Sequence, residues 1–350
     1  PATIPGVQGT ALAFDLGYAD ENVTNYDRPL VLVWENVDRL SLSEVRNVLL
    51  GGADDEPIER AMLDADAWDT QRADGTWTDL FSEGGLNGAA PWLVWLLAIE
   101  LIFVVTLPLA ARVLRWLPDR GVVLARPLGL LLVAWVVWMG ASTGVWGFSG
   151  GSVFLAIALL ATVSGVLAYR NRSALLALLR HHWRYLLSVE LLFLAAYLTF
   201  VLVRAANPDL WHPWRGGEKP MDLAYLTAVI KSTTFPPYDP WYAGGFINYY
   251  YFGFVIVGVL VRVTSIVPAV AYNLAVPLLF AVTLSAAFSV GYNLTEGLRQ
   301  RMHLRISARS TILAGLATAM LMVVLANIDG GVQLLQGAVR TLTGEAFGSF

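Results

Sequence analysis

Arg204-Ala-Ala-Asn-Pro-Asp-Leu-Trp-His-Pro-Trp-Arg-Gly-Gly-Glu218-Lys-Pro-Met-Asp222 opens a long polar interruption between apolar stretches. Phe235-Pro-Pro-Tyr-Asp239-Pro-Trp-Tyr-Ala-Gly-Gly and Asn248-Tyr249-Tyr250-Tyr251-Phe252-Gly253 complete it. Within a compact protein a connection longer than about 15 residues is either functional or disordered, and the aromatics and prolines here argue against disorder. The chain as a whole is 56% hydrophobic and 14% charged, with a mean hydropathy of +0.58. Soluble domains carry about 25% charged residues, so this reads as an integral membrane protein. It has no cysteine, which excludes disulfides and thiolate metal sites.

A membrane-crossing helix needs about 20 mainly apolar residues. Six stretches meet that standard: 92–111, 127–147, 151–169, 186–203, 270–292 and 310–328. A further candidate, Phe252 to Val261, runs for ten apolar residues before Arg262, the length of an interfacial or re-entrant segment. Arginines cluster at 112, 115, 120 and 126, at 170, 172, 180 and 184, and at 299, 301, 305 and 309. Short cationic loops stay cytoplasmic; six spans put all three clusters inside, whereas seven would put the third outside. The expected fold is an all-α polytopic membrane protein with about six transmembrane helices plus amphipathic surface helices in a large outer loop. Residues 1–89, the 204–249 loop and Asp329 then share the outer face of the cell membrane.

Residues 1–89 hold 17 Asp/Glu and 5 Arg, the rest 10 Asp/Glu and 18 Lys/Arg. The net charge of -4 thus joins an acidic water-exposed segment to a basic membrane segment, and no basic run interleaved with aromatics suggests nucleic acid. Leu30-Val-Leu-Val-Trp34 reads as a strand, and Ser41 with Glu44 as a capping box opening a helix that stops near Gly51. A polar Asp-rich linker follows to about Asn87. This small α/β piece has too little apolar material for its own core. We expect it to be the extracytoplasmic tail of an upstream unit, with 90–350 a membrane domain that continues past Phe350.

Pro220 sits where a helix can begin, and Leu223, Leu226, Val229 and Ile230 follow at helical spacing, leaving Asp222, Thr227 and Lys231 off the stripe. Asp222 falls in the first turn of a surface helix, where it either complements the helix dipole or does chemistry. Glu218 either approaches Asp222 to share a metal or proton, or pairs with Lys219 or Arg215. Tyr249, Tyr250 and Tyr251, like Trp211, Trp214, Trp241 and Tyr242, form either an interfacial aromatic belt or a sugar-stacking platform. Glu100 and Glu190 lie within spans and are functional candidates by default, Glu190 with Arg184 near it, Glu100 without an evident partner. His181 and His182 lack metal-ligand companions. No phosphate-binding glycine loop, nucleophile elbow or zinc-helix motif occurs.

Leu117-Pro-Asp-Arg-Gly, Leu124-Ala-Arg-Pro-Leu-Gly, Glu190-Leu-Leu-Phe, Asn207-Pro-Asp, Gly217-Glu-Lys-Pro-Met-Asp222, Asp239-Pro-Trp and Asn248-Tyr-Tyr-Tyr-Phe-Gly253, in this order, resemble the YYY membrane domain family of Chlorobi, Chloroflexi and archaea over about residues 92–350. Its architecture is similar to the GT-C glycosyltransferases, which take a sugar from a polyprenyl-phosphate carrier on the outer face. Residues 24–50, with Tyr26-Asp-Arg-Pro, resemble the outer-face tail that closes such a unit. The resemblance implies Asp222 as the acid at the start of the outer loop, 223–234 and 248–267 as its two surface helices, and a membrane-lipid sugar donor with an unidentified acceptor. On that reading Asp222 is the general base, aided by Glu218. Glu218 or Asp329 joins Asp222 around a divalent cation, Mg or Mn. Arg204 and Lys219 offset phosphate charge, and Trp241, Tyr249, Tyr250 and Tyr251 line the substrate groove. The chain departs from that class in having four helical segments before or approaching the loop instead of one. A transporter or lipid flippase using Glu100 and Glu190 is the alternative, though it should show internal repeats, and a noncatalytic envelope scaffold is the third reading.

Overall fold

The computed structural model describes Ser41, Glu44, residues 62–73, 80–210, 217–242, 244–303, 307–326 and Val332. The helices are α1 (Ala65–Arg72), α2 (Pro91–Val113), α3 (Ala125–Ser142), α4 (Gly150–Arg170), α5 (Arg172–His181), α6 (Trp183–Ala206), α7 (Lys219–Lys231), α8 (Phe252–Thr264), α9 (Pro268–Arg301) and α10 (Ala308–Ala319). A single turn at Leu86–Ala89 precedes α2, and a π-helical turn at Met320–Val324 continues α10. No strand occurs among the described residues, only isolated antiparallel bridges at Met62–Gly245 and Tyr238–Phe246. The protein is an all-α polytopic membrane protein.

Five of these helices, α2, α3, α4, α6 and α9, are long and apolar enough to cross a membrane. The sixth expected span, 310–328, is a shorter apolar helix with its π-helical extension. Start signals sit where helix physics puts them: Pro91 and Pro268 occupy first-turn positions, and Ser149 and Ser152 form a reciprocal capping box on α4. The α6–α9 pair is antiparallel. Arg204 meets Asn273, Phe200 stacks on Phe280 at 4.6 Å, and Tyr185 lies 4.5 Å from Tyr292. α10 returns along α9 with backbones in close approach; a β-carbon on Gly291 would collide with Thr318 Oγ1, the small-residue contact that membrane helices use.

One end of the bundle carries the long polar loop; the other carries the arginine-rich turns. α8 stays at the loop end. Its start is tied to the last turns of α3, where Trp138 Nε1 donates to Tyr251 Oη at 3.1 Å and meets Phe252 edge-on at 5.6 Å. Its finish is tied to the approach to α2, through Asn87 Nδ2 to Thr264 O at 2.8 Å and Ser82 N to Ser265 O at 2.9 Å. The end of α3 and the beginning of α2 are at the same end of the bundle. A 13-residue helix is about 20 Å long, against about 30 Å of hydrocarbon. α8 therefore lies across that end and does not cross the bilayer.

Three expectations change. α7 is not a surface helix with one wet face: Met221, Tyr225, Leu226, Ala228, Val229, Ile230 and Lys231 are all buried, because α8 and α9 pack against it. Lys231 therefore does not lie on an exposed side, and burial pushes its ammonium down to about 8. The Asp-rich stretch after Gly52 is not all linker, since α1 forms with Asp64 capping it and docks on the long loop. There Gln71 Nε2 donates to Pro236 O at 3.2 Å, Gln71 Oε1 accepts from Thr234 N at 3.2 Å, and Trp68 lies 5.6 Å from Tyr238. The Ser41–Glu44 capping box forms, with Ser41 N to Glu44 Oε2 at 2.8 Å and Glu44 N to Ser41 Oγ at 3.3 Å. The strand expected at 30–34 lies outside the described residues.

The membrane glutamates are the third change. Arg126 does not belong with the exposed arginines of its cluster; it is 2% exposed and binds both carboxylates. Its Nε and Nη2 donate to Glu100 at 3.0 and 2.9 Å, and Nη2 also donates to Glu190. Phe103 and Phe193 sandwich the guanidinium at 4.1 and 3.9 Å. Glu100 thus has a partner, and the partner of Glu190 is Arg126, while Arg184 lies over Trp183 at 5.4 Å. At the arginine end the Leu117-Pro-Asp-Arg-Gly turn tucks inward. Asp119, buried, accepts from Ser289 Oγ at 3.0 Å, Tyr185 Oη at 3.3 Å and Gly121 N at 2.8 Å, and its own N–H donates to Asn293 at 3.0 Å. This anchoring holds Arg120 at φ 53 and Gly121 at φ 69, a left-handed conformation that an arginine rarely adopts.

Candidate functional site

At the loop end, the C-terminus of α6, the first turn of α7, the tyrosine loop and the start of α9 converge. Pro220 occupies the first turn of α7 without breaking it, and Asp222 N donates to Glu218 O at 2.9 Å. The helical turn therefore runs across both acids and stacks them one turn apart. Asp222 is half-buried and accepts from Tyr272 Oη at 3.3 Å. Burial raises its carboxyl above the ordinary value; the Tyr272 hydrogen bond works against that, and the Glu218 charge adds to it. A carboxylate so held is a stronger base than a free aspartate.

Arg204 reaches the same region. Its Nε donates to Asn273 Oδ1 at 2.9 Å and its Nη2 to Asp209 O at 3.4 Å, while Asn273 Nδ2 donates to Pro208 O at 3.1 Å. The end of α6 is thereby fastened to the residue beside Tyr272. Tyr249 and Tyr250 are exposed, with ring centroids 4.0 Å apart, and Tyr249 lies 5.9 Å from Tyr225 on α7. The Tyr249 phenol is pushed up to about 12, first by its hydrogen bond with Tyr250, then by desolvation, Tyr250 again, and the charges of Glu218 and Asp222.

The remaining expected site residues are dispersed. Tyr251 turns inward, held by Trp138 and 5.8 Å from Phe235, so it anchors the loop while its two neighbours face out. Trp241 is 47% exposed, beyond a turn in which Asp239 Oδ1 accepts from Trp241 N at 2.8 Å and Tyr242 N at 3.2 Å. Lys219 is half-exposed at the start of α7, and no ion pair joins it to Glu218 among the described residues. Asp329, Trp211, Trp214 and Arg215 lie outside the described residues. Among the described residues no three His, Cys, Asp or Glu side chains gather as a metal site; Glu218 and Asp222 supply two carboxylates. Sequence reasoning missed Tyr272 and Asn273. Their signal was a polar pair at the mouth of an apolar stretch, which span counting absorbs.

A family model described as uncharacterized membrane protein (DUF2298) matches residues 132–349, from within α3 through the whole of this site. No curated protein and no solved structure matches the chain.

Proposed function

The chain belongs to the DUF2298 family of membrane proteins, and we propose that it is a GT-C-like glycosyltransferase that takes a sugar from a polyprenyl-phosphate carrier at the loop end. The observation that carries this reading is the half-buried Asp222, with a raised pKa, held by Tyr272 and near enough to the exposed Tyr249–Tyr250 pair for its charge to act on the Tyr249 phenol. In the step, the acceptor hydroxyl oxygen forms a bond to the anomeric carbon as the bond from that carbon to the carrier phosphate breaks. The phosphate leaves with the electron pair, and the acceptor proton passes to the Asp222 carboxylate. Tyr272 positions that carboxylate. Glu218 keeps a second negative charge one turn away, which favours proton uptake at Asp222.

Lys219, three residues before Asp222, and Arg204, bound to Asn273 beside Tyr272, are the cations that would offset the leaving phosphate. Two carboxylates one turn apart suit Mg²⁺ or Mn²⁺ of the kind held by one or two carboxylates plus phosphate oxygens; when bound, that cation would neutralise carrier charge. Trp241, Tyr249 and Tyr250 offer aromatic faces to the sugar, and Tyr251 keeps the tyrosine loop in place. The transporter reading loses support from the locked Arg126 site, which occupies both of its glutamates.

The test supplies purified full-length protein and host membranes with labelled polyprenyl-phosphate hexoses. Label should leave the carrier for a membrane-borne acceptor. Carrier or solute movement across vesicles without sugar transfer would replace this function by transport.

A further inference from the structure

At the arginine end, away from the loop, a cavity of about 340 Å³ opens between the last turns of α2, the end of α4 and α5. Arg112, Arg115 and Arg120 line it. Among the described residues, no carboxylate forms an ion pair with any of the three. Three cations on one small concavity repel one another, and an anion relieves that repulsion. Arg120 is there because the turn puts it there: the buried Asp119 network fixes the left-handed backbone that aims this side chain off the turn. Strained backbone of this kind persists where the surroundings hold it, and it clusters at ligand sites.

The other wall is apolar. Pro108, Leu167, Leu175 and Leu178 line the same cavity, so the ligand has a charged part and an oily part. Beside the cavity, Trp116 and Tyr169 are 71% and 77% exposed, the amphipathic aromatics that sit at headgroup depth in a bilayer. Guanidinium groups match phosphate oxygens in fork geometry. We propose that this cavity is a binding site for a phosphate-bearing anion, and that the apolar wall and interfacial aromatics select the headgroup and upper acyl region of an anionic phospholipid.

The probes are dioleoylphosphatidylglycerol, dioleoylphosphatidylcholine and inorganic phosphate, titrated onto the full chain in detergent and read by native mass spectrometry. Phosphatidylglycerol should bind at least about tenfold more tightly than phosphatidylcholine, as expected for several arginines near one anionic headgroup. The triple variant Arg112→Gln, Arg115→Gln, Arg120→Gln should lose that preference. Ala174→Trp fills the cavity from α5 while leaving every arginine in place, and should weaken phosphatidylglycerol binding without touching the Asp119 turn. Arg115→Gln alone, at an exposed position, should lower the preference partway and covers the case in which the triple variant does not fold. Inorganic phosphate displacing the lipid at millimolar concentration, or binding as tightly, would keep the anion site and reassign its source to free phosphate. Equal binding of the two lipids, or a preference unchanged in Arg115→Gln and Ala174→Trp, would overturn the proposal.

Discussion

Arg126 sets the terms for single residues in this chain. One guanidinium serves two carboxylates while buried between two phenyl rings. Removing one member of such a site costs about 3–5 kcal/mol. Arg126→Met should therefore unfold the protein at a markedly lower temperature, while Glu100→Gln, which leaves the Glu190 partner, should do so less; equal melting temperatures for both would refute the shared site. At Asp222 the prediction concerns pH. Its folded pKa is raised, so the basic form appears only as pH climbs through that raised value, and transfer should rise with it. Tyr272→Phe removes a hydrogen bond that favours the carboxylate and should move the acid limb of the rate profile to higher pH, and Glu218→Gln should move it lower. Shifts in the same direction would contradict the assigned roles. The same sign governs stability: ionised Asp222 opposes folding as pH rises from the ordinary carboxylate range through the raised value. Asp222→Asn should therefore fold at neutral pH at least as well as the wild type.

Elements were legible in proportion to how much of their physics is local. The ten-residue apolar run ending at Arg262 already limited α8 to less than a span, and α8 ends within two residues of that arginine. Asp239 is as local: it precedes a proline and closes its own turn by accepting from the Trp241 and Tyr242 amides. The proline and first-turn acid of α7 are legible, but its burial is not, because a stripe reading assumes one buried face and α7 is covered by the two helices that follow it, α8 and α9. The docking of α1 was equally invisible: a short helix rich in aspartate gives no sign that Gln71 will satisfy the backbone at Thr234 and Pro236, over 160 residues away. Gln71 is 2% exposed, and Gln71→Ala should release α1 from the loop. Hydrogen exchange at the Thr234 amide and across residues 65–72 should then speed up together; protection unchanged at both would show that the contact does not hold them.

Across the whole molecule, the arginines predict an orientation that helix packing leaves open. Both the acidic site and α1 sit at the loop end, so one face of the membrane must receive both. Because the chain has no cysteine, single replacements report cleanly. Tyr250→Cys, at a position 67% exposed, should react with an impermeant thiol reagent in intact cells, and Ser307→Cys should react only after lysis. Ser232 would mislead in such a scan, since it is fully buried. Labelling of Ser307→Cys in intact cells would invert the topology and remove the site from the carrier's outer face. The candidate site was half legible: Asp222, Glu218 and the tyrosines stand out from the apolar background, whereas the residues that position them, Tyr272, Asn273 and Trp138, look like ordinary members of spans. The most direct measurement is sugar transfer from a polyprenyl-phosphate donor by full-length wild type and Asp222→Asn, each normalised to its folded fraction. A general base contributes about 10²- to 10⁴-fold, so the account predicts a loss of that size with folding intact; transfer by Asp222→Asn at the wild-type rate would contradict it.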